Sequence, residues 1–165
     1  MNDDLLHLNT LDQDRFVEAV GWIFEHSPWV AERAWFARPF ANLEALLSAM
    51  RTVVEEASEE YQLALLRAHP DLGTRARIST ASTEEQAGAG LDQLTRGEFE
   101  HLDWLNSAYK NKFGFPFLFA VKGSTKHHVL DALERRLNAS PEAEFQEALR
   151  QVYRIAGFRL RETIK

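Results

Sequence analysis

The chain lacks cysteine entirely, contains only five prolines and has no long apolar run. Without cysteine, disulfides, thiolate nucleophiles and zinc–thiolate sites are excluded. No segment reaches the roughly 18 apolar residues of a membrane span, so we expect no membrane association. Basic residues are outnumbered as well: 19 lysines and arginines against 25 acidic residues give a net charge of −6. This balance argues against nucleic-acid binding, which needs a basic patch.

What remains is an ordinary globular composition, 45% hydrophobic and 27% charged over 165 residues. That length predicts one domain spanning residues 1–165. Apolar residues recur at helical spacing in nearly every segment, and Asn42 and a Thr95–Glu98 capping box predict where two of the helices begin. We therefore predict an all-α protein, a compact single-domain bundle of about seven to eight helices. Residues 113–121 are the exception: they are apolar, contain glycine and proline, and are predicted to form buried extended chain.

His69 is the first side chain to suspect of chemistry. A helix predicted from about Ser58 to His69 places it in the last turn, directly before Pro70. Consecutive helical residues are 100° apart, so His69 falls on the same side as Leu65 and Leu66. One interpretation is a core histidine that bonds a carbonyl. The other is an acid or base in a cleft, where the helix C-terminus favours a protonated imidazole.

Ser82 and Glu85 have the spacing of a capping box, which predicts that a helix opens at Ser82. The alternative is that this helix end presents amides and a carboxylate to a polar ligand. Gln86 follows directly and offers an amide to the same ligand.

The last helix, predicted over residues 141–163, carries an arginine in its apolar stripe. Arg159 lies almost in line with Val152, whereas Arg161 lies on the solvated face. A buried guanidinium is costly unless it is paired. Three interpretations of Arg159 are therefore open. It forms an internal salt bridge, its charged end extends to the solvent while its stem is buried, or its guanidinium binds a carboxylate or carbonyl of a ligand.

Taken in order and spacing, six segments resemble the family of decarboxylases that act on 2-oxo-4-hydroxy-4-carboxy-5-ureidoimidazoline (OHCU) in uric acid degradation. The segments are residues 25–32 (EHSPWVAE), 38–40 (RPF), 68–73 (AHPDLG), 82–91 (STEEQAGAGL), 106–109 (NSAY) and 112–117 (KFGFPF). Together they run through nearly the whole chain.

The resemblance implies the site residues. It makes His69 of the His-Pro-Asp motif catalytic, with Glu85 of the Ser-x-x-Glu-Gln motif and Arg159 of an Arg-Leu pair near the chain end. The implied substrate-binding residues are Pro70, Ser82, Thr83, Glu84, Glu85, Gln86, Leu118, Phe119, Ala120, Val121 and Lys122.

The resemblance also implies the activity: decarboxylation of OHCU to (S)-allantoin, with no metal and no organic cofactor, by a homodimer. The chain ends without the Ser-Lys-Leu type of peroxisomal address, so we expect a cytoplasmic protein. Two alternatives stay open. One is a non-catalytic helical module that binds a purine-like or ureide ligand, and the other is a helical adaptor that uses its tryptophan-rich N-terminal third.

Overall fold

The computed structural model describes residues 3–73 and 79–164. All regular structure in these two ranges is helical, which confirms the predicted all-α class. Nine α-helices occur there: α1 (Asp3–Thr10), α2 (Gln13–Val20), α3 (Trp29–Ala34), α4 (Leu43–Glu56), α5 (Glu59–Arg67), α6 (Thr80–Gly88), α7 (Arg96–Phe113), α8 (Lys126–Arg136) and α9 (Pro141–Thr163). The one beyond the predicted number is the short helix α1.

The described residues form two compact units. The first unit takes the residues up to Ala68 and those from Tyr153 onward, and the second takes His69–Val152. Helix α9 is continuous and contributes residues to both. The single domain over residues 1–165 stays a prediction.

In the first unit, α4 shows why the sequence folds as it does. Its buried residues Leu46, Met50 and Val54 recur every four positions and are fully shielded from solvent. Each such side chain contributes roughly 1.5–3 kcal/mol when buried. The helix begins where predicted, because the Asn42 side chain accepts a hydrogen bond from the Ala45 N–H at 2.8 Å. Such caps are worth about 1 kcal/mol.

In the second unit, α7 begins and ends on strong local signals. Thr95 and Glu98 form a capping box, as predicted. Gly114 ends the helix in the left-handed region at φ 81°, where a residue without Cβ is favoured. Residues 114–124 then run without helix or strand to α8, with Phe115 and Phe117 buried, as the sequence predicted. The ring of Tyr109 lies 5.4 Å from that of Phe117 and helps to fix this segment.

No helix within the two described ranges is both long enough and apolar enough to cross a membrane.

Candidate active site

His69 lies one residue beyond the C-cap of α5 and is 7% exposed. The helix ends at Arg67, two residues earlier than predicted, and the C-cap Ala68 donates its N–H to the carbonyl of Ala64 at 3.0 Å. The prediction that His69 faces the protein interior is confirmed. Its placement in the last helical turn is wrong, because proline at position 70 disfavours helical geometry in the residue before it.

The turn that follows His69 is held by side chains of the second unit. Asn106 donates from Nδ2 to the carbonyl of Leu72 at 2.9 Å, and the Gly73 N–H donates to Oε1 of Gln86 at 2.8 Å. Gly73 has φ 74°, and a Cβ there would approach Leu102 to 2.5 Å. Only glycine therefore fits, and the backbone path after the histidine is set by α6 and α7.

Helix α6 begins earlier than the sequence predicted. Its N-cap is Ser79, whose side chain accepts from the Ser82 N–H at 3.1 Å, and the first helical residue is Thr80. The predicted capping box of Ser82 and Glu85 is therefore wrong, because Ser82 already lies inside the helix. The Ser82 side chain is instead buried at 6% exposure, and Glu85 is half-buried.

The Ser-x-x-Glu-Gln motif divides between the two faces of α6. Ser82 and Gln86, four residues apart, lie on the buried face. Thr83 and Glu84 lie on the exposed face, and Thr83 Oγ1 donates to the Ser79 carbonyl at 2.9 Å. The side chains of Thr83 and Glu84 are thus separated from those of Ser82 and Gln86.

The predicted backbone-contact segment, Leu118 to Lys122, is mostly buried. Leu118, Ala120 and Val121 are buried, Phe119 is half-buried and Lys122 is exposed. Two of its backbone groups are already bonded within the protein: the Ala120 N–H to Gln151, and the Leu118 carbonyl to Arg136. The Ala120 amide is therefore not a donor available to a ligand.

Arg159 belongs to the first unit and is 4% exposed. Its Nη2 donates to Glu25 Oε2 at 2.8 Å, and its Nη1 donates to the Ile23 carbonyl at 3.2 Å. Glu25 is itself 2% exposed. The internal salt bridge, one of the three interpretations of this buried arginine, is thus present. Arg161 is exposed and lies 3.7 Å from Glu44, as its place on the helix predicted.

Beside the turn after His69 lies a cavity of about 80 Å³, enough for a few water molecules. Its lining is Asp71, Leu72, Gly73, Phe99, Leu102, Asp103 and Asn106. In the part of the chain that the structure describes, no three potential metal ligands among His, Asp and Glu come together.

The family model described as OHCU decarboxylase matches residues 9–161. The chain belongs to the OHCU decarboxylase family. Its relatives in that family include the OHCU decarboxylase of Haloferax volcanii, 51% identical over 158 residues, which are 96% of this chain and 94% of that one. The mouse OHCU decarboxylase is 34% identical, over 98% of this chain and 93% of its own length. The uric acid degradation bifunctional protein PucL of Bacillus subtilis is 46% identical, but the match covers only 32% of it.

Two solved structures are similar to this chain in fold. A crystal structure of (S)-allantoin synthase has a TM-score of 0.77 and 35% identity, and the match covers 97% of this chain and 54% of that one. A crystal structure of an OHCU decarboxylase in the presence of (S)-allantoin has a TM-score of 0.71 at 21% identity, covering 92% and 97%. The second likeness supports the fold alone.

The sequence did not predict four buried residues whose side chains bond the predicted site residues or the backbone beside them: Glu25, Asn106, Arg136 and Gln151. Glu25 carried a signal, because an acidic residue directly after the apolar run Trp22-Ile23-Phe24 is unusual at a buried position. Asn106 and Gln151 act on backbone groups far along the chain. Such contacts leave no periodic pattern in the OHCU decarboxylase sequence.

Proposed function

We propose that this protein catalyses the decarboxylation of OHCU to (S)-allantoin in uric acid degradation, as a carboxy-lyase of its family. The observation that carries the proposal is the buried His69, held in a turn by Asn106 and Gln86. A buried imidazole in a backbone fixed from two helices has the placement that proton delivery to one face of a substrate needs.

The reaction breaks the bond between the ring carbon and the carboxylate of OHCU. Carbon dioxide leaves, and the electron pair stays on the ring carbon, from where it delocalises into the unsaturated heterocycle. The substrate therefore carries its own electron sink. His69 then donates a proton to that carbon, and delivery from one side gives a single allantoin enantiomer. A positioned acid of this kind contributes about 10²–10⁴-fold in rate.

Arg159, Glu85 and Gln86 take the remaining roles in the proposal. Arg159 stabilises the negative charge that develops as carbon dioxide departs, and fixed donors of this kind are worth about 10²–10³-fold each. Glu85 orients the imidazole or the ring N–H groups. Gln86 uses its amide oxygen to hold Gly73, so the amide nitrogen is the group left for the ureido oxygen.

Pro70, Ser82, Thr83, Glu84 and residues 118–122 complete the proposed substrate contacts. The side chains of Thr83 and Glu84 lie on the exposed face of α6, and the Thr83 N–H is already bonded to the Ser79 carbonyl at 3.0 Å. Their contacts with the substrate therefore rest on the family resemblance alone. We further propose, from the family resemblance, a cytoplasmic homodimer that needs no metal or organic cofactor.

The test compares wild type with His69→Ala on freshly generated OHCU, followed by circular dichroism of the allantoin formed. We expect wild type to outpace spontaneous decay and His69→Ala to lose about 10²–10⁴-fold in turnover, with its melting temperature kept. His101→Ala is the matched control, since His101 is an exposed histidine that pairs with Glu134 at 2.7 Å. It should keep full turnover.

Each contrary outcome has a distinct meaning. Wild type that binds OHCU without accelerating its loss would indicate the non-catalytic binding module instead. Full turnover in His69→Ala would leave the enzyme assignment in place and remove His69 as the acid.

A further inference from the structure

Two side chains from different helices form hydrogen bonds to the backbone on either side of Phe119, in the second unit. Arg136, the last residue of α8, donates from Nη1 to the Leu118 carbonyl at 2.5 Å. Gln151, on α9, accepts the Ala120 N–H on its Oε1 at 3.0 Å. Both side chains are buried, at 8% and 5% exposure. The two bonded groups belong to the peptide units on either side of Phe119.

Peptide geometry then dictates where the backbone groups of Phe119 point. In a planar trans peptide the carbonyl and the N–H point in opposite directions. Since the Leu118 carbonyl faces Arg136, the Phe119 N–H faces away from Arg136. Since the Ala120 N–H faces Gln151, the Phe119 carbonyl faces away from Gln151. One half-buried residue therefore presents a donor and an acceptor away from the two side chains that fix it.

Arg136 and Gln151 are themselves fixed by hydrogen bonds to neighbouring side chains. Arg136 Nε donates to Glu144 Oε1 at 2.7 Å, and its guanidinium lies 4.5 Å from the centre of the Phe117 ring. Tyr109 donates its hydroxyl to the same Glu144 oxygen. Burial, together with this bond, raises the pKa of Tyr109 far above its usual range, so the hydroxyl stays a donor. Gln151 Nε2 donates to Glu147 Oε1 at 2.9 Å, which orients its oxygen toward Ala120.

We propose that Gln151 and Arg136 are positioning residues for substrate binding, and that they orient the Phe119 N–H and carbonyl toward the ligand. A donor and an acceptor from one residue complement the edge of a cyclic ureide, which offers a carbonyl beside an N–H. The inference rests on the proposed function, in which residues 118–122 contact OHCU. Neither side chain is assigned to touch the substrate.

The kinetic test begins with Gln151→Leu, which removes the acceptor for the Ala120 N–H. We expect KM for OHCU to rise about tenfold with kcat within about threefold, because a binding contact is lost without loss of the reacting groups. The double variant Glu147→Gln/Gln151→Glu swaps the two residue types between positions 147 and 151. It keeps an acceptor for Ala120 and reverses the bond between the two side chains, so KM should return to within about twofold of wild type.

A purely structural role would give a different pattern. Val129→Ala truncates a fully buried residue two turns before Arg136 on α8. It should lower stability while the bonds from Arg136 and Gln151 to the segment remain in place. Its KM should equal that of wild type. If KM rises in Val129→Ala as much as in Gln151→Leu, or if the exchanged pair does not restore it, the positioning role is wrong.

Amide hydrogen exchange of wild type gives an answer that does not depend on any variant. The Ala120 amide should exchange slowly in the free protein, and the Phe119 amide should become protected only when allantoin is added. A fast Ala120 amide, or a Phe119 amide unaffected by saturating allantoin, would overturn the inference. These results can be distinguished from a failure of the proposed function. The proposed function fails if wild type does not accelerate OHCU decay. It survives if wild type is active but Gln151→Leu does not raise KM.

Discussion

Within residues 3–73 and 79–164, each of the two units buries an arginine against a glutamate, and we expect the two pairs to differ in function. In the first unit Arg159 bonds Glu25, 134 positions away in the chain, and the carbonyl of Ile23. In the second unit Arg136 bonds Glu144, eight positions away, and the carbonyl of Leu118. The burial is similar, at 4% and 8% exposure. Burial alone therefore does not identify a catalytic arginine. The other groups around the guanidinium must be compared as well.

The largest expected effect is on stability in the second unit. Glu144→Ala leaves Arg136 buried without its carboxylate and takes the acceptor from Tyr109. Breaking a buried pair in this way costs about 3–5 kcal/mol in the free energy of unfolding. Urea denaturation measures it, with Glu142→Ala as control, because Glu142 is an exposed residue two positions earlier on α9. A loss below about 1 kcal/mol would mean the pair is no stronger than a surface one.

The next effect separates the two arginines by function. Lysine keeps the positive charge but lacks the planar fork of donors. We expect Arg159→Lys to lower kcat by about 10²-fold, as for the loss of one donor at a developing charge. Arg136→Lys should instead raise KM and lower stability while kcat stays within about threefold. Steady-state kinetics on OHCU and urea denaturation of both variants give the comparison.

Arg161→Lys serves as the surface control for Arg159→Lys, since Arg161 is exposed two residues further along the same helix. It should match wild type. Equal kcat losses in Arg159→Lys and Arg136→Lys would mean that the two pairs are alike and that the difference drawn between the units is wrong.

The sequence predicted one of these two arginines, for a physical reason. Arg159 lies in the middle of an apolar stripe, where a charge has no ordinary explanation. Arg136 also lies on the buried face of its helix, at helical spacing after Val129, Ala132 and Leu133. It ends its helix, however, and cations near a helix C-terminus are usually solvated and favoured by the helix dipole. Neither glutamate partner was predicted, because contacts across the fold leave no local pattern.

Local signals explain the rest of what the sequence predicted. Asn42 and the Thr95–Glu98 box mark helix starts correctly, because a capping oxygen bonds amides two or three residues on. The start of α6 was misplaced because Ser79 and Ser82 are both good caps. Ser79 takes that role, and its oxygen binds the Ser82 N–H. Competing caps three residues apart cannot be ranked without the surrounding packing.

A half-buried ion pair of the second unit, Lys126 with Glu98, can be compared with the buried pairs through its pH dependence. The hydrogen bond from Lys126, and then the backbone N–H of Thr95, lower the pKa of Glu98 from 4.5 to about 2. A carboxyl whose pKa falls on folding adds stability above its ordinary pKa, and this is lost as the pH drops from about 4.5 toward 2. Lys126→Met should therefore be slightly less stable than wild type at pH 6, and the gap should shrink below pH 4.5.

Urea denaturation of both proteins at pH 6, 4.5 and 3 checks this. Arg96→Met is the control, because Arg96 and its partner Glu100 are 93% and 65% exposed. It should show little difference from wild type at any of these pH values. A gap for Lys126→Met that is the same at pH 6 and pH 3 would mean that this pair does not set the Glu98 titration.

The smallest expected effect concerns two buried tyrosines, one in each unit. The Tyr153 hydroxyl is buried and has no hydrogen-bond partner among residues 3–73 and 79–164. Burial, and then the charge of Glu55, raises its pKa to about 12. Removing a hydroxyl that makes no bond relieves a desolvation cost, so Tyr153→Phe should be neutral or stabilising by up to about 1 kcal/mol.

Tyr109→Phe is the matched change in the second unit. There the hydroxyl donates to the ionised Glu144, and a bond to a charged group is worth about 1.5–3 kcal/mol. Both variants remove a hydroxyl from a buried tyrosine ring. The difference between their free energies of unfolding, measured by urea denaturation, therefore reports the hydrogen bond from Tyr109 to Glu144. If Tyr153→Phe costs as much as Tyr109→Phe, the hydroxyl of Tyr153 has a partner in solution.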